Sequence, residues 1–454
     1  MTLIEIDWPR YGEEPAPPAI PLEEYRSRLA AARVLMDRAG LTHLAVYGDR
    51  EHFANLHWFT GFDPRFEEAL LLIRMHGPPL LLVGNECESY LPVSPLWRNG
   101  ELRHERYQPF SLLSQPRDAS RQLGEILDGE GMKAGARVGC VGFKYYAQPH
   151  SIDMPAYLVD AIRAAAGFDA VTCATRMLLH PGDGLRTASG PAEIAWFEYS
   201  NFKASEAMRR VHFAIRLGMT DHELLAHAGY DGLPLACHMT LKTGPNRISL
   251  ASPSGARIEI GYPWSANVAY WGSNVCRAGW VARDAADLPQ RARGYVEQFA
   301  GPYFHAMRAW FGALRIGTPG GEIQTLMDAA LPFEKFGVFL NPGHLIHFDE
   351  WTSSPVYPGS QVRLRSGMVL QSDVIPSSKD YFSTRMEDGY ALADQPLRKR
   401  IAKEYPACLA RCQARREFMS RQLGIELPEE VLPLSNMAGI VPPYLLRPEL
   451  VLSR

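Results

Sequence analysis

Between Asn341 and Asp388 the chain sets three side chains of ligand or acid/base type, His344, Asp373 and Glu387, beside apolar runs that read as strands. No other stretch narrows the choice of fold so far. Met368 to Leu370 has the pattern of a half-buried or buried strand, and Asp373 follows it with no turn residue between. A carboxylate carried into a core in this way needs a partner, because a lone buried charge is costly.

The 454 residues, 46% apolar and 21% charged, are enough for two or three domains and a sizeable core. A net charge of −3 with no dense Lys/Arg block gives no reason to expect nucleic acid or an acidic membrane surface as partner. The seven cysteines (87, 140, 173, 237, 276, 408, 412) are odd in number and contain no CxxC pair. They predict reduced thiols rather than a disulfide framework or a structural zinc site. Cys408 and Cys412 share one helix face and read as packed thiols. No cationic start followed by an apolar block opens the chain, and no apolar run approaches the roughly 20 residues that span a bilayer. A soluble cytoplasmic protein is expected.

Taken in order, residues 1 to about 20 are Pro-rich and aperiodic and predict an arm rather than core. Leu22 to Gly40 reads as a helix, Leu44–Tyr47, Ala69–Ile73 and Pro79–Val83 as buried strands. A helix over Asp118–Leu127, a strand over Arg137–Val141, a helix over Pro155–Ala165 and a strand over Ala170–Ala174 complete an alternating α/β domain, 21–182. His180-Pro-Gly-Asp-Gly marks the junction. Pro191 then opens a long helix ended by Gly218, and Thr220 is the expected N-cap of a second one. The second domain is placed at 190–395, with C-terminal helices and a tail at 396–454. No phosphate loop or GxGxxG phrase occurs, so no nucleotide is expected.

Gly343-His344, Ser366-Gly367-Met368-Val369 with an acid five residues after the Met, and Arg385-Met386-Glu387-Asp388 together resemble the creatinase, prolidase and methionine aminopeptidase family, the pita-bread fold. His57-Trp58-Phe59-Thr60-Gly61-Phe62 looks like the creatinase-type N-terminal domain. Gly218-Met219-Thr220-Asp221 and Gly317-Thr318-Pro319-Gly320 look like two copies of one turn in a fold of two related αβ halves. The resemblance implies an α/β N-terminal creatinase-like domain followed by an α+β pita-bread domain, and a homodimer. It also implies that Arg65 and Phe66 reach a neighbouring subunit's substrate, although a surface Arg and a core Phe explain them equally well.

Active peptidases of that family hold two divalent metals with two Asp, one His and two Glu. Here the resemblance gives His344, Asp373 and Glu387, but Asn274 stands at one Asp position and spacing from Gly255 puts Gly261 at the other. Glu259, two residues earlier on the same strand face, is the expected substitute if metal (Mn, Fe or Zn) binds at all. The peptidase histidines are missing too, one falling near Ala251 and the other at Asp349. The implied enzyme is therefore creatinase-like: His344 is general base, Asp373 and Glu387 orient it or bind a cationic group, and no cofactor is needed. Arg385, Arg277 and Asn274 would anchor an anionic end of a small polar substrate, with Tyr270, Trp271, Asp349, Glu350 and Trp351 lining the pocket. The expected reaction is hydrolysis of a C–N bond; a metal-dependent Xaa-Pro dipeptidase or lyase, and a non-catalytic ligand- or partner-binding homologue, are the rivals.

Overall fold

The computed structural model describes residues 2–245 and 250–454, so Asn246–Ser249, just before the Ala251 position at which the resemblance would place a peptidase histidine, lie outside the described residues. The chain divides into two compact units, Ile20–Arg186 and Met1–Ala19 with Thr187–Arg454.

In the first unit a six-stranded sheet runs in the order Arg103–Arg106, Leu80–Val83, Ala69–Arg74, His43–Gly48, Val138–Val141, Val171–Cys173. The central strands are apolar at consecutive positions because both faces are buried: Leu70 to Ile73 are all 0% exposed. The helix expected from Asp118 starts only at Leu123, where Gln122 and Glu125 form a capping box. Upstream, the Ala119 N–H is taken by the Gln108 side chain, 2.7 Å, which holds that segment as loop. A helix over Ala54–Thr60, closed by left-handed Gly61, has no counterpart in the sequence reading. Arg65 sits at φ +55°, and Phe66 beside it is exposed.

The second unit is built around the strands β1 Thr240–Thr243, β2 Pro263–Val268, β3 Val275–Trp280, β4 His344–Leu345, β5 Val369–Gln371, β6 Arg385–Glu387, β7 Gly389–Leu392 and β8 Val431–Pro433. They form two four-stranded sheets, β6-β3-β2-β1 and β4-β5-β7-β8. Asp388 alone separates β6 from β7, so the chain crosses from one sheet to the other there. The long helix α1, Pro191–Ala214, and α2, Gly301–Ala313, pack their apolar residues into the core that these sheets share.

The two turns compared in the sequence match in atomic detail. Gly218 and Gly317 are both left-handed. Their N–H groups donate to Ile258 and Leu364, and Arg257 and Arg363 each return a guanidinium N–H to the glycine carbonyl, at 2.6 and 2.7 Å. Thr220 caps the next helix as expected, accepting from Glu223 N–H. The N-terminal arm differs from expectation: Thr2–Glu5 pairs antiparallel with Leu450–Ser453, and Ile6 and Trp8 are buried in the core. Proline-rich composition removed the periodicity but left two large apolar anchors.

Candidate active site

The carboxylates and the histidine come together where the sheets meet. His344 is placed by Gly343, whose φ of +102° and 2.8 Å approach of a hypothetical Cβ to the Trp310 ring leave room only for glycine. β4 then pairs His344 with Gln371, and Asp373 lies two residues beyond that partner. Glu387 arrives on β6 from the other sheet, directly opposite Cys276, which itself faces Asn267 on β2. One ligand atom each from His344, Asp373 and Glu387 can be chosen so that all lie within 4.8 Å of one another.

The His344 ring is fully buried and stacks on Trp351, with centroids 3.9 Å apart and 17° between planes. Its Nδ1 lies 3.2 Å from the Leu345 carbonyl, which can only accept, so Nδ1 carries the proton and Nε2 presents its lone pair. That Nε2 makes no hydrogen bond, yet Glu350 Oε1 is 3.4 Å away and Asp373 Oδ2 3.6 Å. Asp373 Oδ1 is equally without a hydrogen-bond partner. Acceptors thus face acceptors in a buried pocket, an arrangement that calls for a proton or a cation between them.

Burial raises all three acids. Glu387 stands well above the ordinary carboxylate range, first through burial and then through the charge of Asp373. Asp373 is raised by burial, opposed by His344. Glu350, with 24% of its side-chain surface still exposed, is pushed by burial up to about 7. Burial also holds His344 below its usual value, so the imidazole is neutral at pH 7. The sign for stability follows from folded values above unfolded ones: the native state binds the extra proton, so stability falls as pH rises from about 4.5 to about 7 through Glu350. Its share is roughly 3 kcal/mol at 1.36 per unit. Glu350→Gln is therefore expected to raise Tm at pH 8 in chelator and to flatten the Tm-against-pH curve, read by calorimetry; an unchanged curve would show that Glu350 is not under this stress.

Asn274 and Asn267 extend the cluster. The Asn274 amide donates to Glu387 Oε1 at 2.8 Å and to Glu350 Oε1 at 3.3 Å, and its Oδ1 is 3.5 Å from Asn267 Nδ2. Asn267 in turn accepts from Thr240 N–H, 3.0 Å, and its Nδ2 is 3.5 Å from Cys237 Sγ. Sequence spacing missed Asn267 because it was counted from Gly255 and gave Gly261, six residues short of Asn267. The turn is tight, Ser273 N–H to Tyr270 O at 2.8 Å with Gly272 left-handed, and Gly261 falls before β2 instead of on it. The available signal was a lone Asn in an otherwise apolar end of a strand.

Two further expectations are corrected. Glu259 is exposed beside Tyr262 and is not among the clustered ligands, so it does not replace a missing acid. Arg277 is no substrate anchor: it is 1% exposed and points to the opposite face of β3 from Cys276. Its guanidinium donates to the carbonyls of Ile440, Cys276, Glu387 and Met437 and to Asp388 Oδ2 at 2.7 Å. It fixes the backbone that carries Glu387.

The other proposed contacts are placed as follows. Arg385 shares the Glu387 face of β6 and donates to Cys276 Sγ, 3.2 Å. Trp271 packs edge-on to Phe348 and Tyr270 stacks on Tyr230, while Asp349 is half-buried in the loop beside Glu350. His347 lies outside the cluster, with Nε2 3.0 Å from Glu193. Arg65 lies over the Tyr90 ring and 3.5 Å from Asp63 in the first unit.

No family model matches the chain, and no curated protein matches it significantly. Solved structures do. A prolidase from Thermococcus sibiricus matches with TM-score 0.64 at 17% identity, over 82% of this chain and 95% of that one. The prolidase from Pyrococcus horikoshii OT3 gives 0.63 at 13% identity, over 81% and 95%. Dipeptidase PepE from Mycobacterium ulcerans gives 0.60 at 18% identity, over 82% and 94%. With its α/β first unit and two-sheet second unit, the chain has the pita-bread fold of the prolidase-type enzymes.

Proposed function

We propose that this chain is a hydrolase that cleaves a C–N bond in a small polar metabolite, working without a bridged pair of metal ions. The observation that carries the reading is the buried Nε2 lone pair of His344, held by the Nδ1–H to Leu345 contact and facing two carboxylates. In this reading Nε2 takes a proton from water as the water oxygen bonds to the substrate carbon, Asp373 and Glu350 stabilise the imidazolium that forms, and the imidazolium returns that proton to the leaving nitrogen as the C–N bond breaks. Glu387 and the remaining acid oxygens receive a substrate N–H group, of amidine, guanidine or amine type. The donor set does not fit a dinuclear centre. Two divalent ions bring about four positive charges and need bridging carboxylates. The pocket offers Glu350, Asp373 and Glu387, and beside them two neutral amides, Asn274 with its N–H groups turned towards Glu350 and Glu387 and Asn267 with its N–H turned towards Asn274.

A second reading is favoured by the 4.8 Å clustering: His344, Asp373 and Glu387 would hold a single divalent ion, and the chemistry supplied is Lewis-acid polarisation of a carbonyl, as in a dipeptidase or lyase. Both readings place the protein in the cytoplasm as a homodimer, with exposed Phe66 available for contact with a second subunit. Among the described residues no helix is long and apolar enough to cross a membrane. The test is turnover of creatine-like, amidine and Xaa-Pro compounds by protein purified without chelator, before and after EDTA. Release of amine or ammonia unaffected by EDTA is expected. Two tightly bound divalent ions per chain, or turnover only of Xaa-Pro peptides after adding Mn, Fe or Zn, would overturn it.

A further inference from the structure

An amide chain runs from Asn267 through Asn274 to Glu387 and to Glu350 Oε1, the oxygen that also stands 3.4 Å from His344 Nε2. Each link runs in one direction: Asn267 Nδ2 towards Asn274 Oδ1, then Asn274 Nδ2 to both Glu387 and Glu350. The N–H donors therefore do for these acids what a bound cation would do, spreading partial positive charge between two carboxylate oxygens. A donor nitrogen has no free lone pair for a metal. His344 and Asp373 are the reverse case, with two fully buried acceptor atoms, Nε2 and Oδ1, that have no hydrogen bond. The Glu350 and Glu387 oxygens are thus served by an amide, while His344 Nε2 and Asp373 Oδ1 are not.

We infer that Asn267 and Asn274 set the cation capacity of this pocket: the chain takes at most one divalent ion, and aspartates at these two positions admit a second. The inference rests on the reading that no metal pair is present, and it holds whether the natural occupancy is none or one. The physical reason is charge and donor chemistry together. Asn→Asp preserves shape, removes the two N–H donors that point at acids, and raises the count of carboxylates around the cleft from Glu350, Asp373 and Glu387 to those plus two, enough to neutralise paired ions. The same change leaves mutually repelling acids when no metal is supplied.

The experiment is native mass spectrometry and calorimetric titration with Mn2+ and Zn2+ on the full chain, comparing wild type with Asn267→Asp/Asn274→Asp. Wild type is expected to bind no more than one ion. The double variant should bind one ion more than wild type, with a Tm below wild type in EDTA that recovers on adding Mn2+. Two ions on wild type, or a folded double variant with no added ion, would overturn the inference. If the double variant folds in neither condition, Asn274→Asp alone decides by the same count. Activity in EDTA is scored separately, so failure of the hydrolase reading is distinguishable from failure of the capacity claim.

Discussion

Arg277→Met will destabilise the second unit by about 3–5 kcal/mol, the range for breaking a buried ion pair from one side. Arg277 and Asp388 are 1% and 0% exposed and lie 2.7 Å apart. Removing the guanidinium leaves Asp388 with the Ser435 hydroxyl, 2.6 Å, as its side-chain partner and strips donors from four carbonyls. Burial already raises the Asp388 carboxyl and Arg277 opposes that, so the variant's loss should be greater at pH 8 than at pH 5. Arg277→Lys should recover only part, since one ammonium cannot reach carbonyls that a planar fork reaches in several directions. Chemical denaturation measures it. A loss under about 1 kcal/mol would mean that the pair merely offsets its own desolvation. Because Arg277 also holds the Glu387 carbonyl, at 3.0 Å, surviving folded protein should lose activity as well.

Much of this architecture could be read from residues, and the failures have physical causes. Local grammar succeeded where one short-range interaction decides the outcome, as with Thr220 and its Glu223 N–H, or the paired glycine turns. Asp373 was legible because a carboxylate after an apolar run is costly unless it meets something, and His344 and Glu387 through the phrases Gly343-His344 and Arg385-Met386-Glu387-Asp388. Asn267 was not, because its role depends on cross-strand register, and a tight hairpin moved the register away from the spacing counted in sequence. Arg277 was misassigned for a related reason. Strand alternation puts it on the face opposite Cys276, and what the sequence does not show is that this face is core. Glu350 was named as a pocket residue, but its approach to Nε2 comes from the fold of the 349–353 loop back onto β4, seen in the Leu345–Ser353 hydrogen bond, 2.7 Å.

His344→Ala should cost about 10²–10⁴ in kcat/KM, the usual worth of a positioned acid/base group, while the chain stays folded. The ring is neutral and its Nε2 has no hydrogen bond to lose, so the cost in stability is that of the emptied ring space, the Trp351 stack and one contact to the Leu345 carbonyl. Wild-type kcat/KM should fall on the acid side below pH 6.5, since burial lowers His344 from that value and the base must be unprotonated. In the variant that limb should vanish with the residual rate, and added imidazole should restore part of the activity by entering the space over Trp351. His344→Gln separates the two readings of the cleft. It keeps an amide near the ring's position but supplies neither a base near neutrality nor an imidazole ligand, so a base mechanism loses turnover with substrate affinity unchanged. A metal mechanism loses ion binding as well, by calorimetry. Retention of full activity in either variant would leave the buried lone pair without a catalytic task and return the cleft to the role of a binding site.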